Sequence, residues 1–399
     1  MFKNKALIPI AVVVFVDLLG FSMILPLLSF YAQHYLVSDQ VIGYVVAVYS
    51  VCQFITSPIL GGLSDRYGRR PVLIYSQLGS MIGFLVLGFA NSIWMIVVSR
   101  FIDGISGGNI TIASAYVADV TEPKDRSGAM AIIGIGFGLG FMIGPFISGE
   151  LSNIWGASAP AFAAAALSFT SMLLTVLYLK EPQVHRTSIE EGRKGLKYYT
   201  ATREYLKIKE LRTILLIFFF FALPFSLYVS MFSLYANKRL NFTQQDVGRF
   251  LAYVGFLGIM LQGGIIRPMV KKFGETRMLR FGLGAMALGF VIIVFAENWW
   301  QLAIAALPFS FGTGMTRPVL SSLVSQIAPI DKKGGVLGVS ASIESFTRIL
   351  GPIMGGWIIG ALHPNYIGYV GGALAAIGLW LALTIHRNIK TMNPSVIID

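Results

Sequence analysis

Charged residues are scarce in this chain of 399 amino acids. Asp, Glu, Lys and Arg together make up 13% of the sequence, and hydrophobic residues make up 55%. A soluble domain carries about 25% charged residues, whereas the mean hydropathy here is +0.71. Water is not the main solvent of a chain with so little charge, so we predict a membrane protein.

Cysteine is almost absent, and so are other groups that hold metals or nucleotides. The single cysteine, Cys52, lies in an apolar segment, which excludes a disulfide framework or a thiolate cluster. The four histidines fall at predicted helix ends or in loops, away from any metal-binding or catalytic set: His34, His185, His363 and His386. A glycine-rich phosphate loop ending in Gly-Lys-Ser/Thr is also missing. We therefore expect no cofactor, no metal and no enzymatic activity, with energy coming from an ion or substrate gradient.

Long apolar runs are what the chain has instead. A helix needs about 20 residues to cross about 30 Å of hydrocarbon, and continuous rather than alternating apolar runs favour helices over a barrel. The first run is too long for the core of a signal peptide, so we interpret it as a membrane helix. The sequence predicts an all-α membrane protein with twelve transmembrane helices, at 6–32, 40–63, 72–91, 94–119, 126–150, 157–179, 211–237, 244–270, 277–296, 299–325, 334–361 and 366–386.

One long polar connection divides these spans into six and six. We predict an N-terminal six-helix bundle at 1–180, a cytoplasmic linker at 181–210 and a C-terminal bundle at 211–399. Most of the 31 Lys and Arg residues fall in the linker, in loops on its side and at the termini. The positive-inside rule then makes both termini cytoplasmic in a multi-pass protein of the inner membrane. The net charge of +12 suits anionic lipid headgroups rather than nucleic acid.

The two halves repeat each other. "SFYAQHYL" (29–36) aligns with "SLYANKRL" (233–240), "DRYGRRPVL" (65–73) with "KKFGETRML" (271–279), and "FMIGPFISG" (141–149) with "RILGPIMGG" (348–356). Three matches in register predict two pseudo-symmetric six-helix bundles. Such repeats are typical of transporters, whose halves rock about a site near the middle of the membrane.

The stretch "GGLSDRYGRRPVL" (61–73) places charge between two apolar spans. Its glycines permit close packing and a tight reversal, and Asp65 and Arg69 are spaced to pair on a helix. "GGLSDRYGRR" resembles the signature of the loop between helices two and three in the major facilitator superfamily. The resemblance implies a conformational latch that locks the outward-facing state, formed by Gly61, Asp65, Arg66, Gly68, Arg69, Arg70 and Asp119. The alternative is a simple topology anchor of positive charge.

Two further stretches resemble the drug:proton antiporter branch of that superfamily. "RFIDGISGG" (100–108) is similar to its fourth-helix motif, and "GFMIGPFISG" (140–149) is similar to its fifth-helix motif. The second resemblance implies that the face formed by Gly140, Gly144, Pro145 and Gly149 seals against helix eight and prevents leak. The alternative is an ordinary glycine-rich packing face.

Six charged residues are predicted inside spans, where a charge is costly and usually marks a pathway or relay: Asp17, Arg100, Asp103, Arg317, Glu344 and Arg348. Asp17 has no basic residue within a helical turn, and we expect it to carry a proton if it faces a wet cavity. The alternative for Asp17 is a structural partner such as a serine or a backbone group. Arg100 matches the family arginine that tunes proton transfer, and Asp103, one turn away, is the alternative proton site. Glu344 is a third candidate and could also bind a cationic substrate. The alternative for Arg100 with Asp103, and for Glu344 with Arg348, is a structural ion pair.

An aromatic face in span seven completes the candidate residues. Phe225, Tyr228, Phe232 and Tyr235 recur at helical spacing, which would suit a substrate cavity, together with Arg317 and Arg348. The alternative for each aromatic residue is contact with lipid.

These features predict an exporter of small, amphipathic, drug-like molecules that works in exchange for protons, as a monomer. The whole sequence resembles the tetracycline efflux branch, although the acids of that branch in spans three and nine have no counterparts here. The alternative is a sugar, metabolite or lipid carrier on the same fold; a receptor or an intramembrane enzyme fits less well, because the chain has no sizeable soluble domain or catalytic set.

Overall fold

The computed structural model describes residues 7–122, 126–182, 208–328 and 333–384, and within these ranges the chain is helical and contains no strand. In these described ranges, fourteen α-helices follow one another, with one short π-helix. They are α1 (Leu7–Gln33), α2 (Asp39–Tyr67), α3 (Arg69–Gly88), α4 (Ile93–Ile105), α5 (Asn109–Asp119), α6 (Arg126–Trp155), α7 (Ala159–Tyr178), α8 (Lys209–Leu240), α9 (Gln244–Met260), the π-helix Leu261–Ile265, α10 (Ile266–Phe273), α11 (Glu275–Val294), α12 (Trp299–Ile327), α13 (Lys333–Ala361) and α14 (Tyr366–Thr384).

Eight helices in the described part of the chain are long and apolar enough to cross a membrane. These are α1, α2, α3, the Ile133–Trp155 part of α6, α7, α8, α11 and α14. Helix is also present in the other predicted spans. The segment 94–119 is divided between α4 and α5, 244–270 is interrupted by the π-helix, and α12 and α13 are continuous. The count of twelve crossings remains a prediction.

The break between α4 and α5 is made by close packing at two glycines. A Cβ on Gly107 would lie 3.1 Å from the carbonyl oxygen of Gly104, and one on Gly108 would lie 2.6 Å from the Leu60 side chain. The helix therefore restarts at Asn109, whose side chain lies at the first turn of α5. Membrane transporters place such breaks where polar groups are needed inside the bundle.

The chain divides into two compact units, which we call unit 1 and unit 2. Unit 1 comprises Met1–Gly192, Ser230–Phe256 and Pro352–Pro364, and unit 2 comprises Arg193–Val229, Leu257–Gly351 and Asn365–Asp399. The core of unit 1 includes Ile10, Leu18, Leu73, Ile112 and Val117, which are almost fully buried. The predicted domain boundaries stay a prediction, because most of the linker, 183–207, lies outside the described residues.

Candidate functional site

A partly buried carboxylate in α1 faces a neutral amide rather than a cation. In unit 1, Oδ2 of Asp17 accepts a hydrogen bond from Nδ2 of Asn109 at 2.7 Å. Among the described residues, no Lys or Arg lies within ion-pair distance of Asp17. A carboxyl group held only by a neutral donor can gain or lose a proton without breaking an ion pair.

A second carboxylate of unit 1, that of Asp103, is buried and forms an ion pair. Nη1 of Arg100 lies 3.2 Å from Oδ2 of Asp103, and each side chain is only 3% exposed. The guanidinium also lies over the ring of Phe84, 5.7 Å from its centroid. The pair sits one turn apart on α4, as the spacing predicts. Neutralising Asp103 would strand a buried guanidinium, so this geometry favours the structural ion pair that the sequence left as an alternative.

Both carboxylates line one cavity within unit 1. The walls of the cavity are Asp17, Leu18, Phe21, Tyr49, Gln53, Ser80, Phe84, Asp103, Gly107, Asn109 and Ile110. A neighbouring, smaller cavity is lined by Val13, Val14, Asp17, Leu18, Leu73, Gln77, Asn109, Ile110 and Ala113. Asp17 and Asn109 therefore lie in a wall common to two cavities.

The charged hairpin between α2 and α3 forms a network around Arg69. Its Nε donates to Oδ2 of Asp119 at 2.8 Å, and its Nη1 lies 2.5 Å from Asp65. The same guanidinium donates to the Ser64 hydroxyl at 2.7 Å. The structure thus brings together the acid, the arginine and the distant Asp119 that the family resemblance implies.

The reversal itself depends on Gly68. Its φ of 107° is one that L side chains rarely adopt, and a Cβ there would lie 2.7 Å from Oε1 of Glu181. Gly61 makes only an ordinary contact, since its Cβ would lie 3.7 Å from Thr111. Arg66 is exposed, and its guanidinium lies over the ring of Tyr67 at 5.1 Å. The tight turn therefore needs one glycine.

Glu181, which the sequence reasoning missed, holds the start of α3. Its two carboxylate oxygens accept hydrogen bonds from the backbone N–H groups of Arg69 and Arg70 at 2.7 and 2.8 Å. Nη2 of Arg70 donates in turn to the carbonyl oxygen of Val176 at 2.6 Å. A carboxylate at a helix N-terminus is favoured by the free N–H groups and the helix dipole. These bonds attach the charged hairpin to the end of α7.

We expect Glu181→Gln to lower the stability of the protein by about 1–3 kcal/mol, since hydrogen bonds to a charged group are lost or weakened. Thermal unfolding of the purified full chain in detergent measures this change. Glu297→Gln, the same substitution at an exposed position, is the matched control and should have no effect. Equal unfolding temperatures for the two variants would contradict the role given to Glu181.

The glycines of the fifth-helix motif pack against two different helices, α1 and α9. A Cβ on Gly140 would lie 3.2 Å from Leu18 of α1, and the Ser22 hydroxyl donates to the Gly140 carbonyl oxygen at 2.7 Å. Gly144 also faces α1, with Leu19 O 3.0 Å from its Cβ position. Gly149, at the other end of the motif, meets α9: a Cβ there would lie 3.0 Å from the carbonyl oxygen of Gln244. The single sealing face implied by the resemblance is thus two faces, because residues 140 and 149 point in different directions.

The carbonyl oxygen of Pro145 also meets α9, at Gly248. A matching contact joins Gly43 of α2 with the carbonyl oxygen of Pro352 in α13. In both contacts the glycine lets a backbone oxygen approach where a Cβ would stand. Nearby ion pairs join Lys238 with Asp39 at 2.5 Å and Arg249 with Glu150 at 2.9 Å, all within unit 1.

Most of the predicted aromatic face is core rather than cavity. Phe232 and Tyr235 are fully buried, and Phe232 stacks on Phe250 with centroids 4.9 Å apart. Tyr228 is 4% exposed and packs on Phe309 at 4.8 Å. Phe225, which is partly buried, stacks on Phe221 at 6.2 Å. The prediction is corrected for Tyr228, Phe232 and Tyr235, because helical spacing identifies a shared face but not what packs against it.

Three charged side chains lie together in unit 2. Nη2 of Arg317 in α12 lies 2.7 Å from Oε1 of Glu344 in α13. Nη2 of Arg348 lies 3.8 Å from the same oxygen. The sequence spacing predicts the pair within α13, but the shorter contact is the one to Arg317, which only the tertiary structure reveals.

Comparison with known proteins agrees with the predicted family and fold. The model of the Major Facilitator Superfamily matches residues 10–269 and 263–395. The nucleoside transporter NupG shares the fold with a TM-score of 0.82 at 12% sequence identity, over 95% of this chain and 99% of that chain. The helical, membrane-spanning chain described here belongs to the major facilitator superfamily, a family of transporters.

Similar curated proteins are named for resistance to drugs. The tetracycline resistance protein, class C, of Escherichia coli is 30% identical over 365 residues, which cover 88% of this chain and 89% of that protein. Multidrug resistance protein 2 of Bacillus subtilis (strain 168) is 30% identical over 381 residues, covering 93% and 92%. The similarity therefore extends over nearly the whole of each protein.

Proposed function

We propose that this chain exports small, amphipathic, drug-like molecules across the cytoplasmic membrane in exchange for protons, by alternating access. The observation that carries the proposal is Asp17, a carboxylate inside the membrane-spanning helices whose partner is the neutral Asn109. An ionisable group in such a position is expensive to maintain, and in membrane transporters it marks a proton or substrate path. The drug-resistance proteins named above support export of drugs rather than uptake of nutrients.

Asp17 is a better candidate for the proton carrier than Asp103. Protonating Asp17 leaves its hydrogen bond with Asn109 available, because a carboxylic acid still has an acceptor oxygen. Protonating Asp103 removes the partner of a buried guanidinium, which is strongly unfavourable. Asp103 and Arg100 then keep the cavity polar and hold α4 in place, while Asp17 cycles between its two protonation states. The third candidate, Glu344, lies beside Arg317 and Arg348, and we do not propose it as a proton carrier.

Alternating access needs contacts that form in one state and break in another. The Asp65, Arg69 and Asp119 network is one such set, and the ion pairs of Asp39 with Lys238 and Glu150 with Arg249 are another. Each set includes a charge that is at least a third exposed, such as Asp65, Lys238 or Arg249, and pairs of exposed charges are individually weak. We infer that substrate and proton binding bias the equilibrium between the state in which these contacts are formed and a state in which they are broken. The proposal also places both termini in the cytoplasm and treats the monomer as the working form.

Inside-out membrane vesicles test this proposal. The vesicle lumen is acidified, a panel of drugs and dyes is added, and a quenched pH probe reports protons that leave the lumen. We expect at least one compound to release protons with the wild-type chain, and Asp17→Asn to reduce this release to the level of vesicles without the protein. The exposed control Glu297→Gln should behave as wild type.

Two outcomes would contradict the proposal. If no compound in the panel releases protons, proton-coupled drug export is wrong for this chain. If Asp17→Asn releases protons as well as wild type does, Asp17 is not the coupling residue, and Asp103→Asn in the same assay would then identify the other acid.

A further inference from the structure

Two arginines share one carboxylate in the middle of unit 2. Arg317 and Arg348 both approach Oε1 of Glu344, at 2.7 and 3.8 Å. Each arginine is always charged in a protein, so with Glu344 ionised the cluster has one positive charge in excess. The shorter contact satisfies the carboxylate, and the longer one exceeds hydrogen-bond distance. Arg348 is therefore close to the carboxylate without being bonded to it.

The position of the cluster shows what kind of surface it lines. Arg317 lies well inside the 29-residue helix α12, and Arg348 lies near the middle of the 29-residue helix α13. Their side chains are nevertheless 53% and 43% exposed. A charged group at this depth costs about 2.5–3.5 kcal/mol or more against lipid, and arginines there face water-filled cavities. If α12 and α13 cross the membrane as the sequence predicts, the exposed side of the cluster faces water rather than lipid.

A guanidinium in such a position is a ready receptor for an oxyanion. It presents five N–H donors in a planar fork that matches a carboxylate with two parallel hydrogen bonds. Glu344 is only 25% exposed and already approaches Arg317, so it neutralises one guanidinium and leaves the other. The remaining charge makes the cluster unfavourable for a cation, which argues against a cationic substrate at Glu344.

We propose that Arg348, supported by Arg317, binds a carboxylate or a similar oxyanion of the transported molecule, and that the exported compounds therefore include anionic or zwitterionic ones. This proposal rests on the proposed transport function but not on its coupling to protons. Glu344 opposes the incoming anion: its carboxylate contacts Arg317 at 2.7 Å and lies 3.8 Å from the Arg348 guanidinium, so its negative charge repels an anionic group that binds there.

Binding of a matched pair of dyes tests the proposal. The full chain is placed in nanodiscs of phosphatidylcholine only, which removes anionic lipid as a competing source of oxyanion. One probe is a xanthene dye with a free carboxylate, and the other is its methyl ester, which has the same ring system without the anion. We expect wild type to bind the free acid more tightly, and Arg348→Gln to weaken binding of the acid by about tenfold to a hundredfold while leaving the ester unchanged.

Glu344→Gln provides a test in the opposite direction, because removing the repelling carboxylate should tighten binding of the free acid. Unchanged binding of the ester shows that each variant is folded, and the exposed Arg277→Gln is the matched control for loss of a positive charge. If wild type binds the acid no better than the ester, or if Arg348→Gln weakens both dyes equally, the proposal is overturned. Proton release in vesicles is a separate measurement, so failure of the coupling mechanism can be told apart from failure of this site.

Discussion

Replacing Arg100 with methionine is expected to lower the free energy of unfolding by about 3–5 kcal/mol, the usual cost of removing one partner from a buried ion pair. The cost is high because Asp103 is left as an uncompensated charge that is only 3% exposed. The measurement is unfolding of the purified chain in detergent by heat or denaturant, followed by circular dichroism. Arg277→Gln, at an exposed position, is expected to change stability little.

The double variant Arg100→Met with Asp103→Leu gives the sharper result. Replacing a buried ion pair with apolar residues of similar size is often neutral or stabilising, so we expect most of the lost stability to return. If the double variant also shows wild-type drug-driven proton release, the pair is structural and Asp17 alone carries the proton. A double variant that is stable but does not couple would instead give Asp103 a part in proton transfer. A single variant as stable as wild type would show that the pair is not buried as described.

Substituting the glycines that meet proline carbonyl oxygens is expected to have the second large effect. In Gly248→Ala the new Cβ meets the carbonyl oxygen of Pro145 and lies 3.2 Å from the Cα of Gly149. Both neighbours are backbone atoms, which cannot rotate away as a flexible side chain can. We expect a loss of about 1–3 kcal/mol in stability, typical of overpacking, and a strong reduction in drug export from the same vesicles. Gly43→Ala, against Pro352, should behave alike.

Two nearby glycines serve as controls for this effect. A Cβ on Gly258, later in α9, or on Gly62, later in α2, would meet nothing within 4 Å. Alanine at these positions should be neutral or slightly stabilising, because alanine favours a helix by about 1 kcal/mol over glycine. Equal losses at Gly248 and Gly258 would mean that helix flexibility, rather than the contact with Pro145, is what the glycine provides.

The sequence predicted the parts of this molecule that local spacing determines. Long apolar runs became helices, and Asp65 with Arg69, four residues apart, became an ion pair. The break at 106–108 was not predicted, because glycines that pack helices and glycines that interrupt them look alike in a sequence. The fourth span was therefore expected as one helix, and the structure has α4 and α5.

Contacts between segments that are far apart in the sequence were harder to predict. Glu181 binds backbone groups more than a hundred residues earlier, and backbone donors carry no sequence signal. The only available clue was an acid directly after span six. Asn109 was missed as the partner of Asp17 for the same reason, since the two belong to separate helices. The prediction of a substrate cavity on α8 was wrong for a different reason. The aromatic residues do recur at helical spacing, but the sequence does not show that Phe232 packs on Phe250.

The contacts between glycine and proline have the form of a dimer interface. Gly43 of the first half meets Pro352 of the second, and Pro145 of the first half meets Gly248 of the second. The sequence repeat relates Gly43 to Gly248 and Pro145 to Pro352, so the two contacts are one contact made twice with the roles exchanged. Such reciprocity defines an isologous interface between identical subunits. A substitution at Gly43 or at Gly248 therefore alters one of two equivalent contacts between segments that are far apart in the sequence.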